Sequence, residues 1–191
     1  TNIHNIKFIS SNNNYESFET EVEILVNKKQ LNIIVVENEF TYDGLEHTVK
    51  YEIKDLNNKE YDVDTLNVVG NQNLKNVGQL SIELNILEDN YYSNIVTTTL
   101  KINNFVVDIP EESNLKYIYN GLEQIYDLEQ SSYYTITGHK QTNAGEYQVT
   151  VTLNDLTNYI WENNTTNSIT YSFIINKADY YPSVPGFDAV Y

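Results

Sequence analysis

The sequence predicts an all-β chain built from small tandem modules, and three observations support this. Apolar and polar residues alternate over long stretches, as in strands that have one face on a core. No long stretch has the 3.6-residue period of an amphipathic helix. Short motifs also return in a fixed order, which indicates several copies of one folded unit.

The repeat is defined by motifs that keep their order along the chain. Tyr42-Asp43-Gly44-Leu45-Glu46 returns as Tyr119-Asn120-Gly121-Leu122-Glu123, Asn76-Val77-Gly78 as Asn143-Ala144-Gly145, and Asn90-Tyr91 as Asn158-Tyr159. Asn14-Tyr15 and the segment 24–27 match the end of the same order. The predicted units are therefore the second half of one copy (1–27), two complete copies (28–104 and 105–177) and the start of another (178–191).

The clearest predicted strands are the last two of each copy. Inward positions are Ile3, Ile6 and Phe8 in the first copy, Leu80, Ile82, Leu84 and Ile86 in the second, and Tyr147, Val149, Val151 and Leu153 in the third. The final strands are 22–26, 96–102 and 169–175, and further strands are predicted at 31–37, 47–53, 61–69, 104–109 and 133–137. Segment 122–129 also fits two helical turns, so a β-grasp module is the alternative architecture.

Composition excludes several classes of function. Eleven basic residues against 27 acidic ones give a net charge of −16, which repels nucleic acids and anionic membrane surfaces. Without cysteine the chain has no disulfide, thiolate metal site or cysteine nucleophile. No apolar run is long enough for a bilayer-spanning helix, so we expect no membrane insertion in this segment.

The ordered motifs resemble the MBG/YDG-type repeats, grouped with bacterial immunoglobulin-like modules, of large bacterial surface proteins and adhesins. The resemblance rests on the Tyr-Asp/Asn-Gly turn, the segment 142–147, the alternating strand 149–153, the segment 158–161 and the Ile-Asn-Lys-Ala ending at 175–178. It implies tandem immunoglobulin-like β-sandwich modules with a non-enzymatic role at an extracellular bacterial surface. It supplies no catalytic residues.

Several glycines and one tyrosine are predicted to shape turns. Gly44 and Gly121 follow Asp and Asn, a pair that favours tight turns with positive φ. Gly78 and Gly145 are placed in a second turn, where glycine is needed for its conformational freedom. Tyr147 then enters a core strand, and we expect its hydroxyl to bond backbone upstream, as in a tyrosine corner.

Aromatic residues are the main candidates for ligand contact, because 17 tyrosines and one tryptophan form the compositional oddity of the chain. The candidates are Tyr91, Tyr92, Tyr133, Tyr134, Tyr159 and Trp161, which could stack on a host glycan or protein. Tyrosine also suits half-buried strand faces, so a purely structural role stays open.

The sequence predicts no cofactor, no metal and no enzyme. His4, His47 and His139 lie in three different units. Asp62 with Asp64, or Glu111 with Glu112, could join carbonyl oxygens around Ca²⁺, but no Asp-x-Asp-x-Asp-Gly loop is present. A separate hypothesis is an intramolecular lysine–asparagine cross-link at Lys28, Lys101 or Lys177, next to the module ends.

The expected function is that of a stalk segment whose neighbouring repeats project a distal binding region. Two alternatives stay open: a module that binds host glycan or protein through its aromatic loops, and a self-assembling subunit of a surface layer or filament. Neither needs a reactive centre.

Overall fold

The computed structural model describes residues 2–10, 13–16 and 18–181. The predicted all-β class is confirmed: in these residues the only helical element is a 3₁₀ turn at Val63–Thr65. The chain divides into two compact units, 1–103 and 104–191, one residue ahead of the boundary drawn from the sequence. Residues 182–191, most of the segment interpreted as the start of a further copy, lie outside the described residues.

The first unit begins with a hairpin of β1 (Asn2–Ser10) and β2 (Phe18–Val26). The two strands pair with each other in an unbroken antiparallel register from Asn2 opposite Val26 to Ser10 opposite Phe18. The buried core of the unit contains no described residue of this hairpin.

The rest of the first unit is a two-layer sandwich. Its strands are β3 (Lys29–Glu37), β4 (Glu39–Thr41), β5 (Lys50–Asp55), β6 (Glu60–Tyr61), β7 (Val68–Val69), β8 (Gly78–Ile86), β9 (Tyr91–Tyr92) and β10 (Val96–Asn103). One sheet has the order β6-β5-β3-β9 and the other β4-β10-β8-β7. Inward side chains of both sheets form one core, including Leu31, Ile33, Ile53, Ile82 and Leu100.

The prediction of one continuous strand at 61–69 is wrong. The segment consists of β6, the 3₁₀ turn and β7, because Asp62 caps the turn by accepting a hydrogen bond from the Asp64 amide at 3.0 Å. A short polar side chain that bonds nearby backbone competes with extended pairing.

The second unit has the same plan, with its own core. Its strands are β11 (Phe105–Val107), β12 (Tyr117–Ile118), β13 (Gln124–Ile125), β14 (Tyr134–Thr137), β15 (Lys140–Gln141), β16 (Gly145–Leu153), β17 (Tyr159–Trp161) and β18 (Ile169–Asn176). Sheet β12-β18-β16-β14 and the pair β11-β17 both contribute buried residues to that core, and β13-β15 form a separate two-stranded pair. Segment 122–129 holds β13 and no helix, which removes the β-grasp alternative.

Candidate functional site

The Asn-Tyr motif fastens the first strand of each complete module. The carbonyl of Asn90 accepts the Lys29 amide at 2.8 Å, and the carbonyl of Asn158 accepts the Phe105 amide at 2.9 Å. The short strand that follows each asparagine, β9 or β17, then pairs in parallel with β3 or β11. The motif therefore has the same structural role in both copies.

The Tyr-Asp/Asn-Gly motif joins the same first segment to the opposite sheet. The amides of Tyr42 and Tyr119 donate to the carbonyls of Asn103 and Asn176, at 2.9 and 2.8 Å. These asparagines end the final strands β10 and β18. Each module thus carries its N-terminal segment from one sheet to the other and ties it to the strand that ends the module.

The turns after these tyrosines have one geometry. Gly44 and Gly121 have φ of 82° and 81°, a region that costs glycine little. Asp43 Oδ1 accepts the Leu45 amide, and Asn120 Oδ1 the Leu122 amide, both at 2.9 Å. In both turns a side-chain oxygen accepts the amide of the residue two positions later in the chain. Asp and Asn both have such an oxygen on a short side chain, so either residue suits this position.

Tyr147 forms the hydrogen bond to upstream backbone that the sequence predicted. Gly145, however, is needed for a different reason from the predicted conformational freedom. The Tyr147 hydroxyl donates to the carbonyl of Asn143 at 2.9 Å. Gly145 does not have positive φ; a Cβ there would lie 3.2 Å from the Tyr147 hydroxyl, so the glycine makes room for the ring. The equivalent Gly78 has no such neighbour, since Leu80 replaces the tyrosine.

Trp161 and Tyr134 are corrected from ligand-contact candidates to core residues. Trp161 is 0% exposed, its ring lies 5.7 Å from that of Tyr134, and its Nε1 donates to the carbonyl of Asn167 at 2.9 Å. Tyr134 is also buried, and its hydroxyl donates to the Glu129 carbonyl at 2.8 Å. The Trp161 ring offers no surface to a ligand in solution, and Tyr134 is only 7% exposed.

Two other candidates come together at the surface of the second unit. Tyr133, which is 37% exposed, and half-buried Tyr159 have ring centroids 5.4 Å apart, and both pack on Phe105, which the sequence did not single out. We call these three rings the aromatic cluster. Phe105 and Tyr133, together with the largely buried Tyr134, line a cleft of about 570 Å³.

The cleft is acidic. Besides the three rings, its wall includes the carboxylates of Asp108, Glu111, Glu129 and Glu162. Glu162 is held in place because its Oε1 accepts the Ile109 amide at 3.2 Å. An exposed ring beside carboxylate acceptors suits a neutral, hydroxyl-rich or cationic ligand and repels an anionic one.

Tyr91 and Tyr92 lie in the first unit, around an ion pair. Tyr91 packs edge-to-face on Tyr61 at 5.7 Å, whereas Tyr92 donates its hydroxyl to Gln30 Oε1 at 3.3 Å. The Tyr61 hydroxyl accepts from Lys29 Nζ at 2.7 Å, and Lys29 also contacts buried Asp55 at 2.6 Å.

Asp55 organises the loop between β5 and β6. Its Oδ1 accepts the amides of Asn57 and Lys59, at 2.8 and 3.0 Å, while Oδ2 faces Lys29. The hydrogen bond from Lys29, followed by those backbone amides, lowers the pKa of Asp55 to about 2. Asp55 therefore stays ionised and stabilises the loop between β5 and β6. Its contacts indicate a structural role.

The calcium candidates have other partners or no supporting cluster. Asp62 caps the 3₁₀ turn, and Glu111 and Glu112 line open surface clefts. Among the described residues no group of three or more His, Asp or Glu side chains is placed to hold a metal ion. His47 instead contacts Asp43 at 2.9 Å and stacks on Phe40 at 4.3 Å.

Two lysines of the cross-link hypothesis make hydrogen bonds near the module ends. Lys28 Nζ donates to the carbonyl of Glu88 at 2.7 Å. Lys101 Nζ and Asn103 Nδ2 both donate to Glu39 Oε1, at 2.8 and 2.7 Å, and the Lys101 bond is the main cause that lowers the pKa of Glu39. These contacts do not test the cross-link, which stays a prediction.

The fold and contacts define the class as an all-β protein of repeated sandwich modules. No protein-family model matches the chain, and a search of the curated proteins finds no matching relative. In the part of the chain that the structure describes, no helix has the length and apolar character needed to cross a membrane.

Proposed function

We propose that this chain is a stalk segment of a bacterial cell-surface protein, built from tandem immunoglobulin-like modules that hold a binding region away from the cell. One observation carries the proposal: the repeated motifs close each module on itself. The asparagine and tyrosine landmarks of both copies make the same strand-end hydrogen bonds. The residues that recur between the two copies are therefore those that stabilise the fold of the module.

Two further features support this role. Each complete module has its own buried core, so copies can be added without rebuilding their neighbours. The net charge of −16 favours a soluble surface that repels other acidic polymers. The assignment to a bacterial surface rests on the resemblance of the motifs to MBG/YDG-type repeats.

The test is whether length grows in proportion to copy number. Inserting one, two and three extra copies of residues 105–177 after Lys177 should raise the maximum dimension from X-ray scattering by equal steps. Each step should be about 30 Å, the length of a nine-residue strand such as β16. Gly/Ser insertions of equal length are the control, because their reach grows only as the square root of length. Steps that shrink like the control's would contradict a stalk.

The second candidate function is ligand binding by the aromatic cluster and its cleft. We expect Tyr133→Ala to weaken binding to a neutral glycan at least tenfold on a glycan array, because it removes the most exposed ring of the cluster. Tyr119→Ala is the matched control: this tyrosine is 40% exposed in the same unit and does not line the cleft. Equal binding by the two variants, or none by the parent chain, would exclude this role.

A further inference from the structure

The N-terminal hairpin reproduces the central hairpin of a complete module residue for residue. Asn2 lies opposite Val26 in β1-β2, as Gly78 lies opposite Ile102 in β8-β10. At the other end Phe8 faces Thr20, where the module pairs Leu84 with Val96. The Asn-Tyr motif also falls at the same position, Asn14-Tyr15 in one loop and Asn90-Tyr91 in the other. No insertion or deletion separates the two segments.

This match shows which face of the hairpin corresponds to a module core. In β8-β10 the inward residues Ile82, Leu84, Leu100 and Ile102 are 0–1% exposed. Their counterparts Ile6, Phe8, Ile24 and Val26 are 40%, 53%, 42% and 47% exposed. The same positions are apolar in both hairpins, but only one set is covered. We call the uncovered set the open face.

The opposite face of the hairpin carries most of its charged side chains. Lys7 and Glu19 form an ion pair at 2.9 Å, and exposed Glu21 and Glu23 continue along the same side of β2. The same face also carries three exposed apolar residues, one of which the sequence placed among the inward positions of this copy: Ile3, Ile9 and Leu25. Side chains alternate between the two faces of a strand, so the charged side and the open face are fixed by the register. The two faces therefore differ in charge, and the open face is the one whose apolar positions match those of a module core.

The hairpin also needs a covered apolar face in order to be stable. An isolated two-stranded hairpin is marginally stable in water and needs further strands or a packed face. In the complete module the cover comes from β3 and β5, through Leu31, Ile33 and Ile53. β3 also pairs in parallel with the strand at Tyr91, the counterpart of Tyr15, which is 78% exposed.

We propose that the open face is the docking surface for the first half of a further repeat, a strand set like residues 28–77, joined ahead of Asn2 in the same polypeptide. This occupant supplies both the apolar cover and the strand beside Tyr15. A second copy of the chain does not, because its first-half strands β3 and β11 are paired within their own modules. The proposal concerns how modules close and does not depend on the stalk function.

The test places a copy of residues 28–77 directly ahead of Asn2, in place of Thr1, which restores a repeat of the same length as residues 28–103. We expect amide hydrogen exchange in β1 and β2 to become at least about 100-fold slower, since these amides then open only with a packed module. The matched control carries Ile33→Asp and Ile53→Asp in the added copy alone. Its hairpin should exchange as fast as that of the original chain.

Two results would overturn the proposal. One is equal exchange of β1 and β2 in the extended chain and its control. The other is protection in the unextended chain that rises with protein concentration together with a dimer mass, which would make a second copy the occupant. Unchanged protection of β8, β10, β16 and β18 shows in every sample that the two complete modules are folded. Proportional growth in the scattering experiment is a separate result, so either proposal can fail alone.

Discussion

Replacing Trp161 with alanine is expected to unfold the second unit under conditions where the first unit stays folded. The indole is fully buried on β17 and contacts Tyr134, and its Nε1–H is bonded to the Asn167 carbonyl. Truncating a buried tryptophan typically costs about 3–5 kcal/mol of unfolding free energy. A whole domain has about 5–15 kcal/mol, and a small module lies toward the low end.

Calorimetry and hydrogen exchange together can measure this effect. We expect the transition of the second unit to shift or vanish, while β8 and β10 keep their protection because they belong to the other core. Leu156→Ala, at an exposed residue of the same unit, is the control and should change stability by less than about 0.5 kcal/mol. Unaltered unfolding of the second unit in Trp161→Ala would show that the indole does not hold this core.

The prediction also changes how binding data should be interpreted. If a glycan or protein ligand is found, loss of binding in Trp161→Ala reports loss of the folded unit, because the ring has no exposed surface. Tyr133→Ala tests contact, since Tyr133 is exposed beside the cleft.

The strands that the sequence located best are those whose two faces differ in polarity. β8, β10, β16 and β18 fall where alternation placed them, because each has one face on a core and one in water. The parallel pairings of β3 with β9 and of β4 with β10 had no such signal. Pairing between segments distant along the chain depends on tertiary contacts that the period of one strand does not encode.

Trp161 shows why the site was harder to predict than the fold. It directly precedes a polar segment, 162–168, and polar segments usually lie at the surface. The segment turns back on itself: the Trp161 amide donates to the Thr165 carbonyl, and Asn164 has φ of 60°. The carbonyl of Asn167 then receives the indole N–H, so a polar loop buries the ring. Tyr159 and Trp161, two residues apart, hinted at one inward strand face.

Gly138→Ala is expected to be as disruptive as a core truncation, for a reason that the sequence did not reveal. Gly138 follows β14 with φ of 76°, a conformation that costs other residues about 1–2 kcal/mol. A Cβ there would also overlap the backbone carbonyl oxygen of Gln148, which lies in β16. Backbone cannot swing aside like a flexible side chain, and such overpacking costs about 1–3 kcal/mol more.

Gly121→Ala separates these two costs. Gly121 has φ of 81°, almost the same as Gly138, but a Cβ there would meet no atom within 4 Å. Both glycines lie in the second unit, so one denaturant unfolding transition measures both variants. We expect a loss of about 1–2 kcal/mol for Gly121→Ala and about 2–5 kcal/mol for Gly138→Ala. Equal losses would mean that β16 moves away from residue 138 at no cost, and the close approach of these two segments would then not constrain the module.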